Sequence, residues 1–199
     1  MGFIGRQRDR VYEHRARWAA RILIPWVRPG DRVLDIGAGD CRVDVVLKAK
    51  IACEVTPVDI LDYNRTNLPL TIFDGKRLPF ADDSFDVGLF LFVLHHVEDV
   101  DACLAEARRV CRRHVIAFED LNVTWWDRRT FRGFHIWLDW AEKIDKPFRE
   151  WTPSQWTDLA TRTGLREVWQ QPLGRSLGPI ASRHVGFVWE KPILSAKAA

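Results

Sequence analysis

Apolar positions along the chain follow two alternating rhythms. Short apolar runs at 32–36, 53–59, 69–73, 86–92 and 115–119 predict strands, and 86–92 is apolar enough for a strand covered on both faces. Val11, His14, Trp18, Ile22 and Trp26 recur at spacings of three and four, which predicts a helix over 8–27 ended by Pro29-Gly30-Asp31. Helices are also predicted over 41–50, with Asp40 as N-cap, and over 99–112, where Leu104, Ala107, Val110 and Cys111 form the apolar stripe. Strands alternating with helices of this length predict a Rossmann-like, doubly wound α/β fold with a mostly parallel sheet and helices on both faces.

After Glu119 the rhythm changes. Residues 121–150 are aromatic and charged, with a helix expected over 128–143. Thr152-Pro153-Ser154-Gln155 is a capping box with proline at the first helical position, opening a helix that runs to Gly164. Runs at 166–171 and 183–190, joined by the Gly/Pro-rich 172–182, predict an antiparallel pair on the sheet edge.

The 199 residues suit one domain, read as an N-terminal helix (1–30), a ligand-binding core (31–120), an aromatic cap (121–150) and a closing helix with edge strands (151–199). Apolar residues make up 47% and charged residues 29%, ordinary for a globular protein. The net charge of +3 decides nothing, but it is unevenly spread. Residues 1–32 hold eight arginines against Asp9, Glu13 and Asp31, giving +5, so the remainder sums to −2. That basic helix suits either an anionic surface or plain solvation. Cys41, Cys53, Cys103 and Cys111 form no CxxC and no metal-ligand spacing, so reduced thiols and no metal are expected. The arginine-rich start lacks the apolar core of a signal peptide, and no apolar run approaches the roughly 18 residues of a membrane span. A cytoplasmic location is expected.

Four features carry chemistry. The first strand runs into Asp35-Ile36-Gly37-Ala38-Gly39, an acid followed by two glycines where nucleotide-like ligands sit in open α/β sheets. Asp59 ends the second strand, 20 residues past Gly39, where a carboxylate can accept two ribose hydroxyls. Asp74-Gly75 opens the polar stretch to Asp86, and His95-His96 follow the fourth strand. A dinucleotide site wants glycine at position 42, and this chain has Arg42.

In this order the four features resemble the class I S-adenosylmethionine-dependent methyltransferases, especially the branch acting on small molecules and lipid precursors. The resemblance covers about residues 30–120, with a weaker echo at 150–165. It implies a seven-stranded sheet whose last strand is antiparallel, and S-adenosylmethionine as cofactor. It further implies that Asp35, Gly37, Ala38 and Gly39 surround the methionine part, and that Asp59 holds the ribose with Ile60 beside the adenine. Asp74, with Gly75 next to it, would accept from the adenine amino group; Leu91 and Phe92 would lie near the sulfonium and methyl. Two positions depart from the pattern: Cys41 stands where the family often has a third glycine, and Pro57 precedes the second strand's acid.

Histidine titrates near neutrality, so His96 and His135 are the candidate bases, with Asp139 one helical turn from His135. Both histidines also have plain packing readings. Eight of the ten tryptophans follow residue 124, and the aromatic segment predicts a dry wall over an acceptor with an apolar body. Core packing, a dimer contact and a peripheral membrane contact are the other readings of those rings. No Asn/Asp-Pro-Pro-aromatic motif and no Pro-Cys follow the fourth strand, and there is no broad basic face, so no nucleic acid is expected. A small-molecule, lipid or quinone-like methyl acceptor is left; oligomeric state stays open. The alternatives are a catalytically silent cofactor-binding scaffold and a nicotinamide-dependent oxidoreductase.

Overall fold

The computed structural model describes residues 3–121, 123–129, 132–133, 149–175 and 183–192. Seven strands form one sheet: β1 Arg32–Ile36, β2 Glu54–Asp59, β3 Thr71–Ile72, β4 Phe85–Leu91, β5 Cys111–Asp120, β6 Arg166–Gly174 and β7 His184–Glu190. The helices are α1 Phe3–Leu23, α2 Arg42–Ile51, α3 Val100–Val110 and α4 Pro153–Arg162. The strand order is β3-β2-β1-β4-β5-β7-β6. Strands β1 to β5 are parallel, and β7 runs antiparallel to both its neighbours, β5 and β6. The chain works outward from β1 to β3, then crosses back to β4. The crevice between the carboxyl ends of β1 and β4 is therefore the topological switch point, where such sheets bind ligands.

Each face of the sheet has its own core, and strand alternation sorts residues between them. Leu34, Phe90 and Phe187 pack on one face with Leu104 and Trp156. Val33, Leu89 and Val188 pack on the other with Leu23 and Leu47. Burial on both sides explains why these strands read as apolar runs.

Several boundaries differ from the sequence expectation. The buried stripe of α1 is Ala16, Ala19, Ala20 and Leu23, with Trp18 and Ile22 half-buried at its margin and Val11 and His14 exposed. Small alanines bring the helix close to its neighbours, although they weigh little in an apolar pattern. Pro25 belongs to a 3-10 turn, Ile24–Trp26, that ends α1. β5 begins at Cys111 rather than 115, which shortens α3 to Val110. A side chain on Gly88 of β4 would start 2.7 Å from Cys111 Sγ, so Cys111 fills that gap as a strand residue. The cap position of α2 is Cys41, although Asp40 Oδ1 still accepts the Arg42 N–H at 3.1 Å.

The capping box of α4 forms as expected, with Gln155 Oε1 accepting the Thr152 N–H at 2.8 Å. The antiparallel edge pair is β7 and β6. Residues 125–129 are helical; the rest of the expected helix lies mostly outside the described residues. Among the described residues no helix is long and apolar enough to cross a membrane.

Candidate active site at the carboxyl edge of the sheet

The turn leaving β1 is drawn onto the end of β2. Gly37 N–H and Ala38 N–H both donate to Val58 O, at 2.8 and 3.1 Å. Gly39 N–H donates to Asp59 Oδ2 at 2.9 Å, while Asp59 Oδ1 accepts from Ile60 N–H (2.7 Å) and Leu61 N–H (3.2 Å). Asp59 thus clamps two turns together. A carboxylate offers about four acceptor sites, so three protein donors still leave room for a ligand hydroxyl. Gly37 has φ +77°, and a Cβ there would sit 2.6 Å from a Val93 methyl. Gly39 has φ +55° and nothing within 4 Å of its absent side chain. The first glycine lets the turn touch the segment after β4; the second leaves open space over the backbone.

Beneath this turn lies a feature the sequence reading did not find. Asp35 of β1 and Asp44 of α2 are both buried, and the two carboxyls interact. Burial is the main cause pushing both above the ordinary carboxyl range, and among the described residues neither Asp44 oxygen has a hydrogen-bond partner. Asp35 Oδ1 is buried without a hydrogen-bond partner. The available signal was an acid on the buried stripe of α2, in line with Leu47 and Ile51. Cys41 adopts the left-handed conformation, φ 59°. That explains why glycine suits this position, and it makes the departure a local strain of about 1–2 kcal/mol. Burial, then the neighbouring carboxylates, push the Cys41 thiol up to about 12, so it is no nucleophile.

On the β2–β3 side, Ile60 and Gly75, both expected near the adenine, lie next to one another. A Cβ on Gly75 would lie 3.1 Å from Ile60 Cγ2, so the residues after β2 and β3 are in contact. Ile60 and Leu61 are exposed, giving an apolar ledge beside the turn. Asp74 Oδ1 accepts the N–H groups of Lys76 (2.9 Å) and Arg77 (3.1 Å), and these bonds hold its carboxyl below the usual range. Asp74 therefore closes its own turn. Arg42 is committed elsewhere, pairing with Asp40 at 2.9 Å and with Asp9 of α1 at 2.8 Å.

On the β4 side, half-buried Leu91 and Phe92 end at the crevice, and Phe92 has φ 65°. His95 Nδ1 lies 2.5 Å from Glu119 Oε2, both groups buried, and Glu119 Oε1 accepts the Leu94 N–H at 2.9 Å. This pair fastens the 3-10 turn Leu94–His96 to the end of β5. His96 is half-buried in that turn, its ring 4.1 Å from that of His95. His135 and Asp139 lie outside the described residues, as do Phe131, Phe134, Trp137, Trp140 and Phe148.

Three further residues converge here without any sequence motif. Asp120 ends β5, His184 opens β7, and Nδ1 of His184 lies 3.1 Å from Asp120 Oδ1. The His184 ring meets the edge of Phe92 at 4.6 Å, and the Arg15 guanidinium of α1 lies 4.1 Å over the Phe92 ring. The one available signal for Asp120 was position, because Asp35 and Asp59 also sit at or near the carboxyl ends of their strands.

The residues fit S-adenosylmethionine. Open space over Gly39, a buried acceptor on Asp35 and the ledge at Ile60 suit an amino-acid arm and a nucleoside, whereas the Arg42 guanidinium is taken up by Asp9 and Asp40. A family model described as a methyltransferase domain matches residues 34–118. The demethylmenaquinone methyltransferase of Streptomyces avermitilis is 35% identical over 184 residues, 80% of this chain and 78% of that one. That of Corynebacterium efficiens is 34% identical over 108 residues, 52% of this chain and 45% of that one. The chain spans about half the length of most of the curated relatives it matches. Among solved structures, a chain from the Haloferax volcanii complex between the Trm112 methyltransferase activator and a methyltransferase superposes with a TM-score of 0.74 at 17% identity, covering 94% of each chain. The chain belongs to the class I S-adenosylmethionine-dependent methyltransferase family.

Proposed function

We propose that this protein transfers a methyl group from S-adenosylmethionine to a small, quinone-like acceptor with a lipid character, and that the whole chain acts as one domain. The observation that carries the reading is the clamped turn, with Asp59 bonded to Gly39 across the switch point and open backbone above it. The relatives' names supply the acceptor class.

When bound, S-adenosylmethionine supplies a methyl group already activated on a sulfonium. The protein's tasks are then holding, alignment and drying. Asp35, Gly37, Ala38 and Gly39 would line the methionine arm, Asp59 the ribose, and Ile60, Asp74 and Gly75 the adenine. Leu91 and Phe92 would form the apolar floor near the methyl. His96 stands on the adjoining turn as the sequence candidate for proton transfer.

A lipid-like acceptor also suggests where the protein works. Val123, Trp125 and Trp126 are 54%, 62% and 68% exposed on the segment leaving β5, beside the exposed Arg128 and Arg129. Adjacent indoles with cations favour an anionic bilayer surface. Vesicles containing phosphatidylglycerol should co-sediment the wild type and lose a Trp125→Ser/Trp126→Ser variant; equal sedimentation would remove the membrane contact.

The activity is tested by incubating the protein with methyl-labelled S-adenosylmethionine and a short-chain demethylmenaquinol. Label should appear in the quinol product. Tight binding of S-adenosylhomocysteine with no labelled product from any quinol or phenol would contradict the reading.

A further inference from the structure

We propose that Arg15, Asp120 and His184 form an oxygen-binding end of the acceptor site, taking the hydroxyl of a phenol or quinol. Arg15 holds the oxygen as its anion, and His184, oriented by Asp120, accepts the hydroxyl proton. The catalytic half of this inference rests on the methyl-transfer reading; the binding half does not.

The three side chains come from three separate elements and meet around one ring. Phe92 follows β4 and donates its N–H to Phe118 O at 2.8 Å, which fixes it at the crevice. His184 packs on one edge of that ring and Trp18 stacks against it, while Arg15 covers a face at 4.1 Å. Among the described residues Arg15 makes no hydrogen bond or ion pair, although it is half-buried. A guanidinium brings five N–H donors in a rigid fork, and burying them uncommitted is costly. The groups facing it are Asp120 on β5, Tyr12 on its own helix and Asp40 in the turn before α2. They supply negative charge without spending the fork, so its N–H donors stay available for one more oxygen.

Asp120 and His184 are both buried, 8% and 5% exposed, and are register partners at the end of the β5–β7 ladder. With Nδ1–H donated to the carboxylate, the ring's basic lone pair belongs to Nε2. The proton balance is simple. The acceptor O–H bond breaks, its proton goes to His184 Nε2, and its electron pair delocalises into the ring. A ring carbon beside the oxygen then bonds the methyl carbon as the sulfur–methyl bond breaks, its electron pair staying on sulfur. That ring carbon loses its hydrogen as a proton to solvent, and the proton on His184 returns to the oxygen.

The binding test uses 4-nitro-1-naphthol, whose anion absorbs at longer wavelength than the neutral form. At a pH where the free naphthol is mostly neutral, the wild type should bind it with the anion spectrum. Arg15→Met should weaken that binding about tenfold or more and lose the anion spectrum. The kinetic test uses His184→Gln, which keeps a donor toward Asp120. It should lose about a hundredfold or more in methyl transfer to demethylmenaquinol, bind S-adenosylhomocysteine like the wild type, and recover in part with more acidic phenols. Melting curves of both variants confirm folding, and Arg15→Met, on a half-buried helix face, keeps the test open should His184→Gln unfold. Unchanged naphthol spectra in Arg15→Met would overturn the proposal, as would a loss of S-adenosylhomocysteine affinity in place of naphthol affinity. Naphthol ionisation in a wild type that methylates no quinol would support the oxygen site while sinking the methyl-transfer reading.

Discussion

The two sides of the switch point are built differently. On the β1–β3 side, backbone and carboxylates within a 45-residue stretch (33–77) make the site, and the bonds that clamp its turns join residues no more than 21 positions apart. On the β4–β7 side the wall is assembled from Arg15, Phe92, Asp120 and His184, spread over most of the chain. Under the proposed function, the first side holds a ligand shared by a whole family, and the second carries side-chain chemistry that another acceptor would require to be different. That would be the division between a cofactor and a substrate site on one fold.

That contrast breaks most sharply at Gly37. Gly37→Ala puts a methyl 2.6 Å from Val93 at φ +77°, so the turn must move away from β4. It should cost about 2–4 kcal/mol of stability by urea unfolding and abolish calorimetric binding of S-adenosylhomocysteine. Wild-type stability with normal binding would show that the two sides need not touch at this point.

Asp59→Ala comes next. It strands the N–H groups of Gly39, Ile60 and Leu61, and should lower stability by about 2–3 kcal/mol as well as cofactor affinity. A variant that lost affinity alone would show that the clamp forms without its carboxylate.

The buried Asp35–Asp44 pair gives a smaller, pH-dependent effect. Ordinary carboxyls titrate near 4, and both of these are raised, chiefly by burial. Between the ordinary and the raised range the folded state keeps protons that the unfolded chain has released. Their contribution is therefore fully present in acid and is lost as pH rises through the raised values. Asp44→Asn should be more stable than the wild type above neutral pH by on the order of 1 kcal/mol, the gap closing as the solution is acidified. A gap that widened in acid would reverse the assignment.

How much of this was legible in the chain follows from the same contrast. Residues 33–39, Asp59 and Asp74-Gly75 announce themselves because a tight turn after a buried strand needs glycine and a terminal acid, and both are local patterns. The parallel sheet followed from alternation, the edge pair from two closely spaced final runs, and the antiparallel last strand from the resemblance. Asp120 and His184 are 64 residues apart and meet only through antiparallel pairing. Arg15 was one of six arginines in a basic helix, with nothing to mark it until α1 packed over the crevice. Asp44 was hidden by the habit of reading acids on helices as solvated. Asp74 shows the converse: its motif was visible, yet its Oδ1 is committed to the N–H groups of its own turn.

The most direct measurement of the central claim is calorimetry of S-adenosylhomocysteine on three proteins in parallel: wild type, Asp59→Ala and His184→Gln. The account predicts binding by the wild type, a loss of at least about tenfold for Asp59→Ala, and wild-type affinity for His184→Gln. Affinity that survives in Asp59→Ala, or falls only in His184→Gln, would contradict the placement of the cofactor on the β1–β3 side.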